Sequence, residues 1–366
     1  MGVFLALALA VLSADGDFAG HYQEPIEASQ PIRQKEFDQF NGYVQRLKGE
    51  ASANRDAHVR PDFGSEAAYE QSVAPLRAQV RQRIGFPPPM IKRGAEPRFE
   101  HVADDAYASV YRVWLEVLEG VEAYGILSIP HGLKGRAPLL ICQHGGGGSP
   151  EIILPVMPTA GNYGWMVQRA LKDGYVTYAP ALIFNIGGTE PIQGPNRLQM
   201  DQELRNVGTS IMAVELWKIY RAIDVIGARP EVDRSRIGMM GLSYGGLYTL
   251  YATALEPRIK VAVSSCFFNE RSRYSWQDWS FFNYFNEFND AEVCALICPR
   301  PLMIEVGVKD DLFAIDGARA EFVRARRFWD GLGMGERFVM EEFDGGHEFR
   351  GDGAYAFVKK YLAGGG

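Results

Sequence analysis

Residues 236–250, RIGMMGLSYGGLYTL, decide how the rest of the chain is read. An apolar run ends at Gly241-Leu242-Ser243-Tyr244-Gly245, and a helix-forming run follows. Glycine two places before and two places after a serine permits a sharp strand-to-helix turn. A side chain at either position would collide with neighbouring backbone, so Ser243 is left at the apex. The bare pattern also fits a tight turn with a serine cap. A strand before it and a helix after it are the context in which it marks a nucleophile.

That context extends in both directions. Upstream, YRVWLEV (111–117) and EAYGILSIP (122–130) read as an antiparallel hairpin, PLLICQ (138–143) as a buried strand, NYGWMVQRALKDG (162–174) as a helix and YVTYAP (175–180) as a strand. A Gly-, Pro- and Asn-rich loop covers 184–196, and TSIMAVELWKIYRAIDVIG (209–227) is a helix capped by Thr209 or Ser210. RIGMMG (236–241), IKVAVS (259–264), PLMIEV (301–306) and RFVMEEF (337–343) supply further strands, with helices between them. Continuous apolar strands alternating with helices predict an α/β fold, a mostly parallel sheet of about eight strands covered on both faces. In such sheets ligands sit outside the C-terminal strand ends.

The strand ends hold the chemistry. A serine at neutral pH needs a base, and imidazole is the side chain suited to that task. Of six histidines, His21, His58 and His101 lie in or near the N-terminal segment and His131 at a hairpin exit. His347, in FDGGHEFRG after the last strand, is the expected base. The carboxylate that holds its tautomer is expected at Asp310 in MIEVGVKDDLF, in preference to Asp311, with Glu270 and Asp278 weaker candidates. ICQHGGGGSPE places His144 and four glycines after another strand, a loop whose amides suit an oxyanion. Gly146 and Tyr244 are the expected donors; His144 is expected to order the loop, with substrate contact as a second role.

These residues resemble the α/β-hydrolase family, and within it the dienelactone-hydrolase-like and acetyl-xylan-esterase-like branch. The resemblance covers roughly residues 98–362 and rests on HGGGG, RPEVDRSRIGMMGLSYGG, EPRIKVAVSS, CPRPLMIEVGVKDDLF and GGHEF. It implies an α/β-hydrolase fold and a serine hydrolase of carboxylic esters that works through an acyl-enzyme and uses no cofactor. Dienelactone hydrolases usually carry cysteine as nucleophile, so serine here points to an esterase or peptidase. Removal of acetyl or related acyl groups from a carbohydrate is the leading expectation; a peptidase or amidase of the prolyl-oligopeptidase-like branch and an inactive binding protein are the alternatives. No β-propeller repeat precedes the domain, which counts against the peptidase.

Three further features bear on function. Between 266 and 290 a lid-like segment is rich in aromatics; Trp276, Trp279 and Phe281 are candidates to wall a substrate pocket, with Phe282, Tyr284 and Phe285 beside them and Arg271 and Arg273 able to meet a carboxylate. Residues 33–50 and 65–84 read as helices of an N-terminal extension over 21–97, ended by IGFPPPM, before the catalytic domain at 98–366. At the start, VFLALALAVL (3–12) and SADGD resemble the core and exit of a secretory signal without a preceding Lys or Arg; a cleaved leader over 1–20 and a first helix are the two readings, and the compartment stays open between secreted and cytoplasmic. The formal net charge of −7 argues against a nucleic-acid partner, no later run has the length of a membrane span, and Cys142, Cys266, Cys294 and Cys298 lack the spacing of a structural metal site or a disulfide framework.

Overall fold

The structure is a computed structural model and describes residues 20–154, 156, 159–184, 192–274 and 276–362. The leader-like stretch at 3–12 lies outside the described residues. The chain divides into two compact units, one up to Glu50 and one from Ala51 onward. In the first, the helix Gln30–His58 begins, and Phe37, Phe40, Tyr43 and Leu47 lie on it at helical spacing but are exposed. In the second, Ser65 caps the helix Glu66–Ile84 by accepting the Ala68 amide, and Gly85 ends it in the left-handed region at φ 69°. Tyr69, Val73, Leu76, Val80 and Ile84 from this helix are buried in the main core.

Nine strands form the sheet: β1 (Arg98–Asp104), β2 (Ala108–Leu118), β3 (Val121–Pro130), β4 (Ala137–Gln143), β5 (Val176–Pro180), β6 (Val232–Leu242), β7 (Ile259–Ser265), β8 (Leu302–Gly307) and β9 (Phe338–Phe343). Their order is β1-β2-β3-β5-β4-β6-β7-β8-β9. Pairing is antiparallel from β1 through β3 to β5 and parallel from β5 to β9. The strand period of two sorts side chains between two cores. Leu139 and Ile141 of β4, with Ile237 and Met239 of β6, face the helices Ile211–Ile226 and Tyr244–Leu255. Leu140 and Cys142, with Met240 and Leu242, face Met166–Lys172 and Ala354–Leu362. With both faces covered, the reacting groups have only the strand ends open to them.

Two elements differ from expectation. β1 adds a ninth strand whose side chains are almost all exposed, so it carries no apolar alternation to announce it. The predicted helix over 162–174 is broken: a 3₁₀ turn at Gly161–Tyr163 is followed by Gly164 and Trp165 at φ 55° and 58°, and only Met166–Lys172 is helical. The break lets Gly164 approach the chain after His347, where a Cβ would lie 2.5 Å from the Phe349 carbonyl oxygen. Among the described residues no helix is long and apolar enough to cross a membrane.

Candidate active site

Ser243 stands between β6 and the helix Tyr244–Leu255 at φ 59° and ψ −119°, a backbone conformation that L-residues rarely hold. Three contacts impose it. A Cβ at Gly245 would lie 2.1 Å from the Gln143 carbonyl oxygen, and one at Gly241 would lie 2.5 Å from the Gly245 carbonyl. The Ser243 amide, in turn, donates to the Ser265 carbonyl at the end of β7, at 2.9 Å. The serine is therefore locked by its neighbours on both sides in the sheet.

The end of β7 also anchors the other strand ends. The Cys266 thiol donates to the Glu348 carbonyl, next to His347, at 3.3 Å, and the Ser265 hydroxyl donates at 2.6 Å to Glu305, whose carboxylate in turn accepts the Arg350 and Gly351 amides. His347 Nδ1 lies 2.9 Å from Asp310 Oδ2, and Asp310 Oδ1 accepts the amides of Leu312 and Phe313 at 2.8 and 3.0 Å. Burial pushes the Asp310 carboxyl upward, but the bond and charge of His347 and the two amides outweigh it and hold the group below its ordinary value. Asp311, next in sequence, is exposed. Glu270 and Asp278 are engaged elsewhere, Glu270 with Ser272 and Arg273, Asp278 with Arg197 and Tyr244.

The glycine loop after β4 lies against the serine: a Cβ at Gly145 would meet the Ser243 Cβ at 3.0 Å. The Gly145 amide donates to the Tyr163 hydroxyl at 3.0 Å. Gly146 follows, packed against the rings of Tyr244 and Phe184. Tyr244 is the first residue of its helix, so its amide has no acceptor within that helix. His144 is fully enclosed, with Nδ1 against the Gly145 carbonyl at 2.8 Å and Nε2 accepting the Leu182 amide at 2.9 Å. Burial lowers its pKa to about 4 and keeps it neutral. Both ring nitrogens are thus used by the backbone, one in the glycine loop and one after β5, and neither is turned to a substrate.

A cavity of about 410 Å³ opens beside Tyr244, walled by Phe184, Arg197, Leu198, Trp276, Gln277 and Asp278. Of the three aromatics expected here, Trp276 lines the cavity; Trp279 stacks behind it at 4.4 Å and is buried. Phe281 packs against Tyr284 and lies under Arg205. Behind the wall Arg197 bonds Asp278 at 2.6 Å, Glu215 at 3.2 Å and the Tyr248 hydroxyl, while Lys218 bonds Glu215 at 2.6 Å. Burial would raise the Glu215 carboxyl, but Lys218 and Arg197 pull it below its usual range. Arg271 and Arg273 are taken up by carboxylates, Arg271 with Asp290 and Arg273 with Glu270 and Asp316.

Sequence reasoning passed over Tyr163, Ser265, Cys266 and Glu305, all of which fasten these loops. Only Glu305 left a trace, as the one charged residue in the apolar run LMIEVG of β8.

Comparison with known proteins bears on the fold and on the segment around the serine turn. Residues 215–276 match the acetyl xylan esterase (AXE1) family. Over 227 residues the chain is 23% identical to YtaP of Bacillus subtilis (strain 168), which carries the name of a hydrolase, covering 60% of this chain and 75% of that one. A glucuronoyl esterase from Solibacter usitatus superimposes with a TM-score of 0.59 at 16% identity, covering 81% of this chain and 93% of that one. Acetyl Xylan Esterase 1 from Thermoanaerobacterium sp. JW/SL YS485 does so with a TM-score of 0.54 at 18% identity, covering 78% and 93%. Sheet order and structural neighbours agree: the chain has the α/β-hydrolase fold, and its residues 215–276, which include the serine turn, are similar to the acetyl xylan esterases.

Proposed function

We propose that the protein is a serine hydrolase of carboxylic esters, acting on acyl groups carried by a carbohydrate. The observation that carries the reading is the fastening of two strand-end loops to the end of β7, the serine turn by the Ser243 amide and the His347 loop by Cys266 directly and by Ser265 through Glu305, with Asp310 joined to that loop through His347. Ser243 Oγ attacks the ester carbonyl carbon while His347 Nε2 takes its proton. Asp310 holds the Nδ1 proton and stabilises the imidazolium that forms. The amides of Gly146 and Tyr244 receive the oxyanion. His347 then returns the proton to the departing alcohol, leaving acyl-Ser243, and a water activated by His347 releases the acid.

The carbohydrate assignment is supported by the aromatic wall and by the esterase names among the relatives. Trp276, backed by Trp279 and Tyr244, offers a flat ring, against the residue that follows Ser243, on which the apolar face of a sugar can lie. The test is hydrolysis of p-nitrophenyl acetate, acetylated sugars, aryl esters and short peptides, with fluorophosphonate labelling of Ser243. Acetylated sugars should be cleaved and Ser243→Ala should be inert and unlabelled. Faster cleavage of peptides would replace the esterase reading, and an unlabelled parent without turnover would end the enzyme reading.

A further inference from the structure

We propose that Cys266, Asp310 and His347 together form a site for a thiophilic divalent cation, Zn²⁺ or Cd²⁺, whose binding switches the hydrolase off. One ligand atom from each of the three, the Cys266 Sγ, an Asp310 carboxylate oxygen and a His347 ring nitrogen, lie within 4.8 Å of one another. They come from the ends of three strands, β7, β8 and β9, that the sheet itself holds together. Cys266 is at φ 45°, and its thiol is turned under the His347 loop, donating to the Glu348 carbonyl at 3.3 Å.

The fit can be judged from bond lengths. Around a tetrahedral Zn²⁺, nitrogen and oxygen ligands at about 2.0 Å lie roughly 3.3 Å apart, and a thiolate at about 2.3 Å lies roughly 3.5 Å from either. Nδ1 and Oδ2, now 2.9 Å apart, need part by only a few tenths of an ångström, and Sγ, within 4.8 Å of the other ligand atoms, needs to close by at most about 1.3 Å. A fourth position is left for water, and thiolate, imidazole and carboxylate are a ligand set that zinc accepts.

Binding also has a defined chemical consequence. Coordination through Nδ1 displaces the proton from that nitrogen to Nε2, so the imidazole stays neutral but loses the lone pair that takes the Ser243 proton. The thiol gives up its proton to solvent as the sulfur–metal bond forms, one proton per ion bound. Two anionic ligands and a dication then sum to zero charge in a buried place, which favours the complex. The thiol takes no part in the proposed ester hydrolysis: it is turned to the Glu348 carbonyl at 3.3 Å.

The inhibitory effect rests on the esterase reading, but occupancy does not, so the experiment measures both. Metal-free protein is titrated with Zn²⁺ while p-nitrophenyl acetate turnover is followed. Separately, it is titrated with Cd²⁺ while the ultraviolet thiolate-to-cadmium absorption is read. Zn²⁺ should inhibit at micromolar levels, reversibly by EDTA, with Mg²⁺ and Ca²⁺ without effect. Cys266→Ala and Cys266→Ser should each raise the half-inhibiting concentration by about tenfold or more, relative to their own uninhibited rates. The Cd²⁺ absorption should fall in both cysteine variants and in His347→Asn. Cd²⁺ absorption that survives all three substitutions would place the metal on another of the buried thiols and overturn the site. Equal Zn²⁺ sensitivity in parent and cysteine variants would overturn the switch.

Discussion

At Gly245 a methyl group has nowhere to go, because the nearest atom to its Cβ would be a carbonyl oxygen of the central sheet at 2.1 Å. Gly245→Ala should therefore cost about 2–4 kcal/mol in urea unfolding and abolish turnover, since the elbow can relax only by moving Ser243. The acid is tested at the same scale. Asp310→Asn should lower kcat by about 10³- to 10⁴-fold, because the amide no longer holds the Nδ1 proton, while Asp311→Asn should stay close to the parent. The Asp310 carboxyl is held below its ordinary value, so the folded state gains from its charge. That gain is present above the ordinary carboxylate pKa and is lost as pH falls through the depressed value. Melting curves of parent and Asp310→Asn should thus differ at neutral pH and converge as the pH falls below the ordinary carboxylate range.

The loop that carries His347 is held by a strand beside it. Glu305, enclosed in β8, accepts the Ser265 hydroxyl at 2.6 Å, the Arg350 amide at 3.2 Å and the Gly351 amide. Glu305→Gln puts an N–H group where an acceptor is needed, and kcat should fall by about 10²-fold with KM little changed. Burial pushes the Glu305 pKa up to about 7 from an ordinary value near 4.5. A carboxyl raised in the folded state binds protons more tightly there than when unfolded. Its contribution is whole below the unfolded value and is lost as pH rises through the folded one. Between those values the parent should therefore lose on the order of 2–3 kcal/mol relative to Glu305→Gln, read from urea midpoints across the range. Legibility from sequence divides along these lines. The parallel strands were legible because both of their faces are buried and their residues form apolar runs; β1 was not, because its exposed side chains leave only backbone pairing to define it. Ser243, Asp310 and His347 could be placed because each follows a strand by a short turn. Tyr163 and Ser265 could not, because their bonds to the glycine loop and to Glu305 are set by three-dimensional approach, and a tyrosine or serine has no local pattern that announces it.

The second unit encloses charged side chains as well as apolar ones. Arg55, near the end of the first helix, is buried; its Nη1 donates to the Phe285 carbonyl at 2.7 Å, and its Nε faces Glu292 at 3.1 Å without the alignment of a hydrogen bond. Arg324 and Arg327 share Glu292, and the Asn289 amide donates to it, so the carboxylate keeps partners if Arg55 is lost. Arg55→Ala should still destabilise by about 2–4 kcal/mol in urea, since a buried charge pair is broken and a large side chain removed. The aromatic wall beside Tyr244 has a comparable charged backing, but a balanced one: Arg197 and Lys218 against Glu215 and Asp278. Two cations and two anions leave no monopole behind the cavity, so a neutral ester should be bound with a KM almost indifferent to ionic strength. An anionic ester meets the field of a chain with formal net charge −7, and the charge of Arg197 in the cavity wall is already offset by Glu215 and Asp278. Added salt, by shortening the Debye length to about 8–10 Å and below, should raise kcat/KM for the anionic ester alone.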